Sequence, residues 1–324
     1  MALKPKDARH KKQIEAGTEW RKHGHTFEQG LAAHINALDL ACLDLAGCNS
    51  HIVKGAPARE LITYICRDRS ILKPKSIRAW WLGGLATSGL GDILHTKEGI
   101  RIERSKSDVL IEIEGGGQKA VVGVSTKTCN KDTPTNDQLF FTTASAFCAL
   151  LRARGVQVSQ AAEEGLRMFC GDSGYTPTDL GKSAGRKSDP DRWFFEELPT
   201  KSRSELIDLF SKNQDQITRI LLQLAYNGDP HPPEYVLHVT VRPSGPDQVR
   251  LALFSAEELV ALSRKAGGFS LREYRIRKGR FKDDPNVHLA PRFGFVQFQR
   301  GGQKQHPTQL QFNLQAGYFD KLST

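Results

Sequence analysis

Residues 105–128 read SKSDVLIEIEGGGQKAVVGVSTKT, two alternating apolar runs on either side of a glycine triplet. Side chains on a strand alternate between faces, so residues two apart share one. The pattern predicts a hairpin turning at Gly115–Gly117. On its first strand Asp108, Leu110, Glu112 and Glu114 share one side, with Val109, Ile111 and Ile113 on the other. On the second, Ser125 and Lys127 point one way, and Val122, Val124 and Thr126 the other. Asp108 and Lys127 are both far from the turn, so pairing brings a carboxylate and an ammonium to one edge of a small sheet. The plain reading is a surface ion pair. The chemical reading is a centre for phosphodiester cleavage: Mg²⁺ is held by one or two carboxylates with phosphate oxygens and water, and a lysine orients or deprotonates the attacking water.

Working outward, Trp80 and Trp81 in IRAWWLGGLATSGLGD (77–92) read as packing residues on a strand that runs into a glycine-rich loop. Asp92 at its end competes with Asp108 as a metal ligand. NDQLFFTTASAFCALLRARG (136–155) is apolar at helical spacing and closes at Gly155, which predicts a helix with Asp137 near its start. Strand, strand and helix in succession are the core of an α/β unit. Upstream, residues 1–26 read as a polar arm or short helix, and helices are expected over 27–47 and 56–70, the second with Glu60 in its first turn. Downstream come a loop rich in Gly, Ser, Pro and charge (171–203), a helix over 202–228, and strands to the C-terminus. The expected organisation is 1–228, helices plus catalytic core, and 229–324, a β-rich extension packed on the core.

Composition narrows the function classes. Lys and Arg outnumber Asp and Glu by 46 to 36, and a formal charge of +10 favours a polyanionic partner, nucleic acid first. Six cysteines without a CxxC pair argue against a disulfide framework or structural zinc, with Cys42, Cys66 and Cys148 inside apolar helical patterns. His23 and His25 lie in a polar stretch and read as solvated. The N-terminus has no apolar signal-peptide core and no run spans a bilayer, so a cytoplasmic protein without a membrane partner is expected.

The motif SKSDVLIEI…AVVGVSTKT resembles the active-site hairpin of type II restriction endonucleases of the PD-(D/E)XK superfamily: an aspartate on one strand, an acid-x-lysine on the next, then a helix. The resemblance spans about residues 77–155. It implies a mixed central sheet flanked by helices, here with a β-rich C-terminal extension, and Mg²⁺-dependent, sequence-specific cleavage of double-stranded DNA to 5′-phosphate and 3′-hydroxyl ends. A palindromic target implies a homodimer, and the family implies a prokaryotic host. The chain departs from the pattern at Ser125, which stands where the acid belongs. A Ser-x-Lys subgroup draws the missing carboxylate from the following helix, which points to Asp137; Glu112 is the other candidate. An N-terminal helix often adds an acid, and Glu60 is the choice here.

Three basic segments are candidates for DNA contact. REYRIRKGRFK (272–282) offers Arg275, Arg277, Lys278 and Arg280 to phosphates. The loop GKSAGRKSDPDRW (181–193) offers Lys182 and Arg186. The hairpin QFQRGGQKQ (297–305) presents Arg300, Gln303 and Lys304, side chains able to pair with base edges. Phe293, Phe295, Leu310 and Phe312 read as core. Two other functions fit the same residues: a DNA-binding module with no catalysis, and a structure- or modification-directed nuclease of repair or defence.

Overall fold

The expected hairpin forms. Val109–Gly115 and Gln118–Cys129 pair antiparallel from Val109↔Val124 to Gly115↔Gln118. Gly116 and Gly117 make the two-residue turn, both at positive φ (59° and 78°), which such a tight hairpin turn demands of its central residues. The computed structural model describes residues 5, 7–83, 105–129, 136–182, 192–224, 228–241, 249–276, 284–300 and 308–322.

In chain order the helices are α1 (Ala8–Asn36), α2 (Pro57–Asp68), α3 (Ala144–Ala153), α4 (Gln160–Cys170), α5 (Thr200–Lys212), α6 (Gln214–Gln223), α7 (Ala256–Lys265) and α8 (Tyr318–Leu322). The strands are β1 (Ile52–Lys54), β2 (Pro74–Trp81), β3 and β4 (the hairpin), β5 (Asp137–Thr142), β6 (Pro233–Val241), β7 (Val249–Ser255), β8 (Phe269–Tyr274), β9 (His288–Phe293), β10 (Val296–Arg300) and β11 (Leu310–Leu314). Among the described residues no helix is long and apolar enough to cross a membrane.

The chain forms two compact units, residues 1–135, 222–259 and 316–324, and residues 136–221 and 260–315. The first unit is built on a mixed six-stranded sheet, β1-β7-β6-β4-β3-β2, in which β2, β3 and β4 form an antiparallel meander and β6 runs parallel to β4. β6 is buried almost throughout, as a central strand covered on both faces should be. One face carries Val109, Ile111, Ile113, Val122, Val124, Leu237, Val239 and Leu251, which pack with Leu31 and Ile35 of α1 and Leu61, Ile62 and Ile65 of α2.

The second unit holds a five-stranded antiparallel sheet, β5-β11-β10-β9-β8. Its core is a phenylalanine cluster in which Phe298 stacks on Phe312 at 4.9 Å and meets Phe169 of α4 and Phe210 of α5. Phe293, Phe295, Leu310 and Phe312 are all buried there, as expected.

Four local expectations are corrected. Residues 8–26 are more than the expected arm or short helix: α1 begins at Ala8 and runs to Asn36, ending short of Gly47. Residues 136–155 are not one helix: Asp137–Thr142 pairs with β11, and α3 starts only after Thr143, whose hydroxyl caps it by accepting from the Ala146 N–H at 3.3 Å. The helix over 202–228 is broken at Asn213 into α5 and α6. Cys42 is exposed in a short 3-10 turn, whereas Cys66 and Cys148 are buried thiols.

Candidate active site

Register carries Asp108 to its place. It precedes the last ladder pair, Val109↔Val124, so it stands across from Ser125, and its N–H donates to the Val124 carbonyl at 2.9 Å. Asp108 Oδ2 accepts from the Thr126 N–H at 2.6 Å and from Ser125 Oγ at 3.2 Å. Lys127 Nζ donates to Ser125 Oγ at 3.1 Å and to the Thr126 carbonyl at 2.9 Å. Asp108 and Lys127 are thus linked through the Ser125 hydroxyl, which accepts from one and donates to the other. The expected trio is assembled, with serine as its connector.

The loop before Asp108 is clamped. Asp229 accepts from the Lys106 N–H at 2.6 Å, from Ser105 Oγ at 3.1 Å and from the His231 N–H at 3.1 Å. Ser107 Oγ donates to the His231 carbonyl at 2.6 Å. Gly123 makes the clamp possible, since a Cβ there would sit 2.1 Å from Ser107 Oγ and 2.8 Å from the Pro232 carbonyl.

A second carboxylate arrives from α1. Leu31, Ala32 and Ile35 are buried, and Glu28 precedes them by three, four and seven residues on the same helical face. Asn36 fixes the helix on β2: its Nδ2 donates to the Ala79 carbonyl at 2.9 Å and its Oδ1 accepts from the Ala79 N–H at 2.8 Å. Glu28 is 8% exposed, and its Oε2 accepts from the Trp81 indole N–H at 3.1 Å. Gly83 leaves the space it occupies, since a Cβ there would lie 2.1 Å from Glu28 Oε2. Burial first, and then the Asp108 charge, push the Glu28 carboxyl up to about 7, against the opposing pull of the Trp81 hydrogen bond and Lys127.

Two further groups feel the same field. Lys106, half-buried, is pulled down to about 7 by desolvation and then by Lys127. His238, opposite Lys127 on β6, is 2% exposed; burial and the Lys127 charge lower it to about 4, so its ring is neutral at neutral pH.

The remaining expected residues lie elsewhere. Glu112 is four residues along β3 from Asp108, about 13 Å at strand rise, and pairs with Lys119 at 2.9 Å near the turn. Glu60, in the first turn of α2, lies against Gly55, where a Cβ would meet its Oε1 at 2.6 Å. That position follows β1, the sheet edge separated from β4 by β7 and β6. Asp137 opens β5 in the second unit, opposite Leu314. Arg275 is exposed just past β8 and donates to the Pro285 carbonyl. Lys182 is exposed at the end of a turn, its N–H bonded to the Pro177 carbonyl at 2.7 Å. Arg300 ends β10 opposite Leu310. Asp92, Arg186, Arg277, Lys278, Arg280, Gln303 and Lys304 lie outside the described residues.

Sequence reasoning missed Glu28. Its signal was a lone acid on the apolar stripe of FEQGLAAHIN, a place where an unpaired charge is costly. Among the described residues no three or more His, Cys, Asp and Glu side chains are grouped to hold a metal ion by themselves. Asp108 and Glu28 supply two hard carboxylates, the donor type and number that Mg²⁺ takes from a protein when substrate phosphate and water complete its shell. No known protein-family model matches the chain, and no curated protein is similar to it beyond chance.

Proposed function

We propose that the chain is a Mg²⁺-dependent double-strand DNA endonuclease of the type II restriction kind. The observation that carries this reading is the convergence of Asp108, Glu28 and Lys127, the first and last joined through Ser125. Asp108 and Glu28 are the residues that would hold Mg²⁺, with Glu28 filling the vacancy left by serine in the Ser-x-Lys motif. Held by these carboxylates, Mg²⁺ would supply Lewis-acid polarisation of the phosphate and a lowered pKa for bound water.

The chain's own groups divide the remaining work. Lys127, steered by the Thr126 carbonyl and Ser125 hydroxyl, orients the attacking water and offsets charge developing on the phosphate. Lys106, on the same loop as Asp108, is a cation below about pH 7 and can exchange a proton there. The clamp on Asp229 and His231 keeps that loop in place, so that Asp108 does not have to be ordered when substrate binds. The meander β2-β3-β4 with β6 parallel to β4 supports the restriction-endonuclease-like core, and the +10 charge supports a DNA substrate. A palindromic target, cut on both strands, would make the active form a homodimer.

The test is incubation of purified protein with unmodified plasmid and phage DNA, with and without Mg²⁺, beside Lys127→Ala. Discrete fragments with 5′-phosphate ends, lost in the variant and without metal, are expected. Binding without cleavage in any divalent metal would leave a DNA-binding module instead, and cleavage confined to methylated or damaged DNA would leave a modification-directed nuclease.

A further inference from the structure

The second unit carries a cleft that the catalytic reading does not use. β9 and β10 pair at only two positions, Phe293↔Val296 and Arg292↔Gln297. Past them β9 continues on β8 and β10 on β11, and the two strands part. A cleft of about 260 Å³ opens there, lined by Tyr274, Arg292, Gln297 and Gln299, with the buried rings of Phe169 and Phe298 beneath. Drug-sized ligands occupy roughly 300–1,000 Å³, so this one has room for a single ring system.

The lining is specific in its chemistry. Arg272 stands beside the cleft, outside its lining, and shares a sheet face with Arg292, which is in register with Ser270 two residues earlier on β8. Burial and then the Arg272 charge hold the Arg292 guanidinium below its ordinary value, and among the described residues neither arginine forms an ion pair. Among the described residues these two like charges on adjacent strands have no counter-charge, which an anion from outside would supply. The amides are also only weakly engaged. Gln297 Oε1 accepts from Asn136 Nδ2 and Gln299 Nε2 donates to Gln311 Oε1, both at a long 3.4 Å. Among the described residues the Gln297 amino group and the Gln299 carbonyl oxygen remain as a donor and an acceptor on one strand face. Anion, flat π face and mixed hydrogen-bonding edge together describe a nucleotide.

We infer that the β9–β10 cleft receives one nucleotide with its base unstacked, its phosphate on Arg272 and Arg292 and its base edge on Gln297 and Gln299. The inference rests on the nuclease reading for its source, a base extruded from duplex DNA; a free mononucleotide has the same chemistry.

Two arms separate the sources. With Lys127→Ala to suppress cleavage, the full chain is titrated calorimetrically with dAMP, dCMP, dGMP and TMP. It is also mixed with duplexes carrying 2-aminopurine, whose fluorescence rises when the base leaves the stack. Saturable binding of a monophosphate and a several-fold fluorescence rise are expected, each weakened about tenfold or more by Arg292→Ala and by Gln299→Ala. Gln299 and Arg272 are exposed, so Gln299→Ala and Arg272→Ala carry the test if Arg292→Ala does not fold. Duplex binding by Lys127→Ala with no fluorescence rise, or a rise left at full strength by the cleft substitutions, overturns the cleft and leaves the nuclease reading standing. Monophosphate binding without duplex binding upholds the cleft and removes the nuclease reading. Neither binding removes both.

Discussion

Replacing Glu28 by glutamine should stabilise the protein in alkaline solution while disabling it. In the fold the carboxyl is 8% exposed and titrates near 7 instead of 4.5. The native state therefore holds a proton that the unfolded chain has lost across that interval, and stability falls as pH rises from about 4.5 to about 7. At about 1.4 kcal/mol per pH unit, the wild-type chain at pH 8 carries a penalty of about 3 kcal/mol for keeping this charge buried beside Asp108. Glutamine keeps an acceptor for the Trp81 N–H and cannot ionise. Urea denaturation followed by tryptophan fluorescence should show Glu28→Gln more stable by up to about 3 kcal/mol at pH 8, a midpoint shift of about 1 M or more at ordinary m-values. At pH 4.5 the two proteins should coincide. Added Mg²⁺ should raise the wild-type midpoint and leave the variant unchanged, because a cation that binds only the folded carboxylate pair stabilises by mass action. A variant no more stable than wild type at pH 8, or equally offset at both pH values, would refute the burial argument.

Other consequences follow from the same geometry. Lys127→Ala should lower Mg²⁺-dependent cleavage by about 10²-fold or more in single-turnover assays while leaving duplex binding measurable by anisotropy. Mg²⁺ affinity, read by calorimetry, should climb with pH through about 7, where Glu28 is half ionised, and level off about a unit above it. Gly123→Ala drives a Cβ into Ser107 Oγ and the Pro232 carbonyl and should cost about 1–3 kcal/mol in urea melts. Asp229→Ala strands the Lys106 and His231 N–H groups and should speed hydrogen exchange across 105–108 before any global loss of structure.

The hairpin was legible because its information is local: alternation sets the faces and the glycines set the turn, so Asp108, Ser125 and Lys127 could be placed together before any fold was known. Glu28 was not, because its meeting with Asp108 spans eighty positions and depends on where Asn36 docks on Ala79. The start of α1 was hidden for another reason: residues 8–26 are mostly polar, with Ile14 and Trp20 too sparse to form an apolar stripe that marks them as helix. Asp137 misled through QLFF, a short apolar run that periodicity cannot assign, and pairing with a strand 170 residues away decides it. RFGFVQFQR (292–300) has the apolar content of one strand, but Gly294 turns it into two at φ 58°, and a Cβ there would sit 2.1 Å from the Ser263 carbonyl. Local patterns wrote the elements; long-range docking chose the second carboxylate.

That choice is the central claim, and cleavage of plasmid DNA in Mg²⁺ by Glu28→Gln beside Glu60→Gln tests it most directly. The account predicts that Glu28→Gln, folded and no less stable than wild type, yields no fragments, while Glu60→Gln cuts as the wild type does. Full cleavage by Glu28→Gln, or its loss in Glu60→Gln alone, would contradict it.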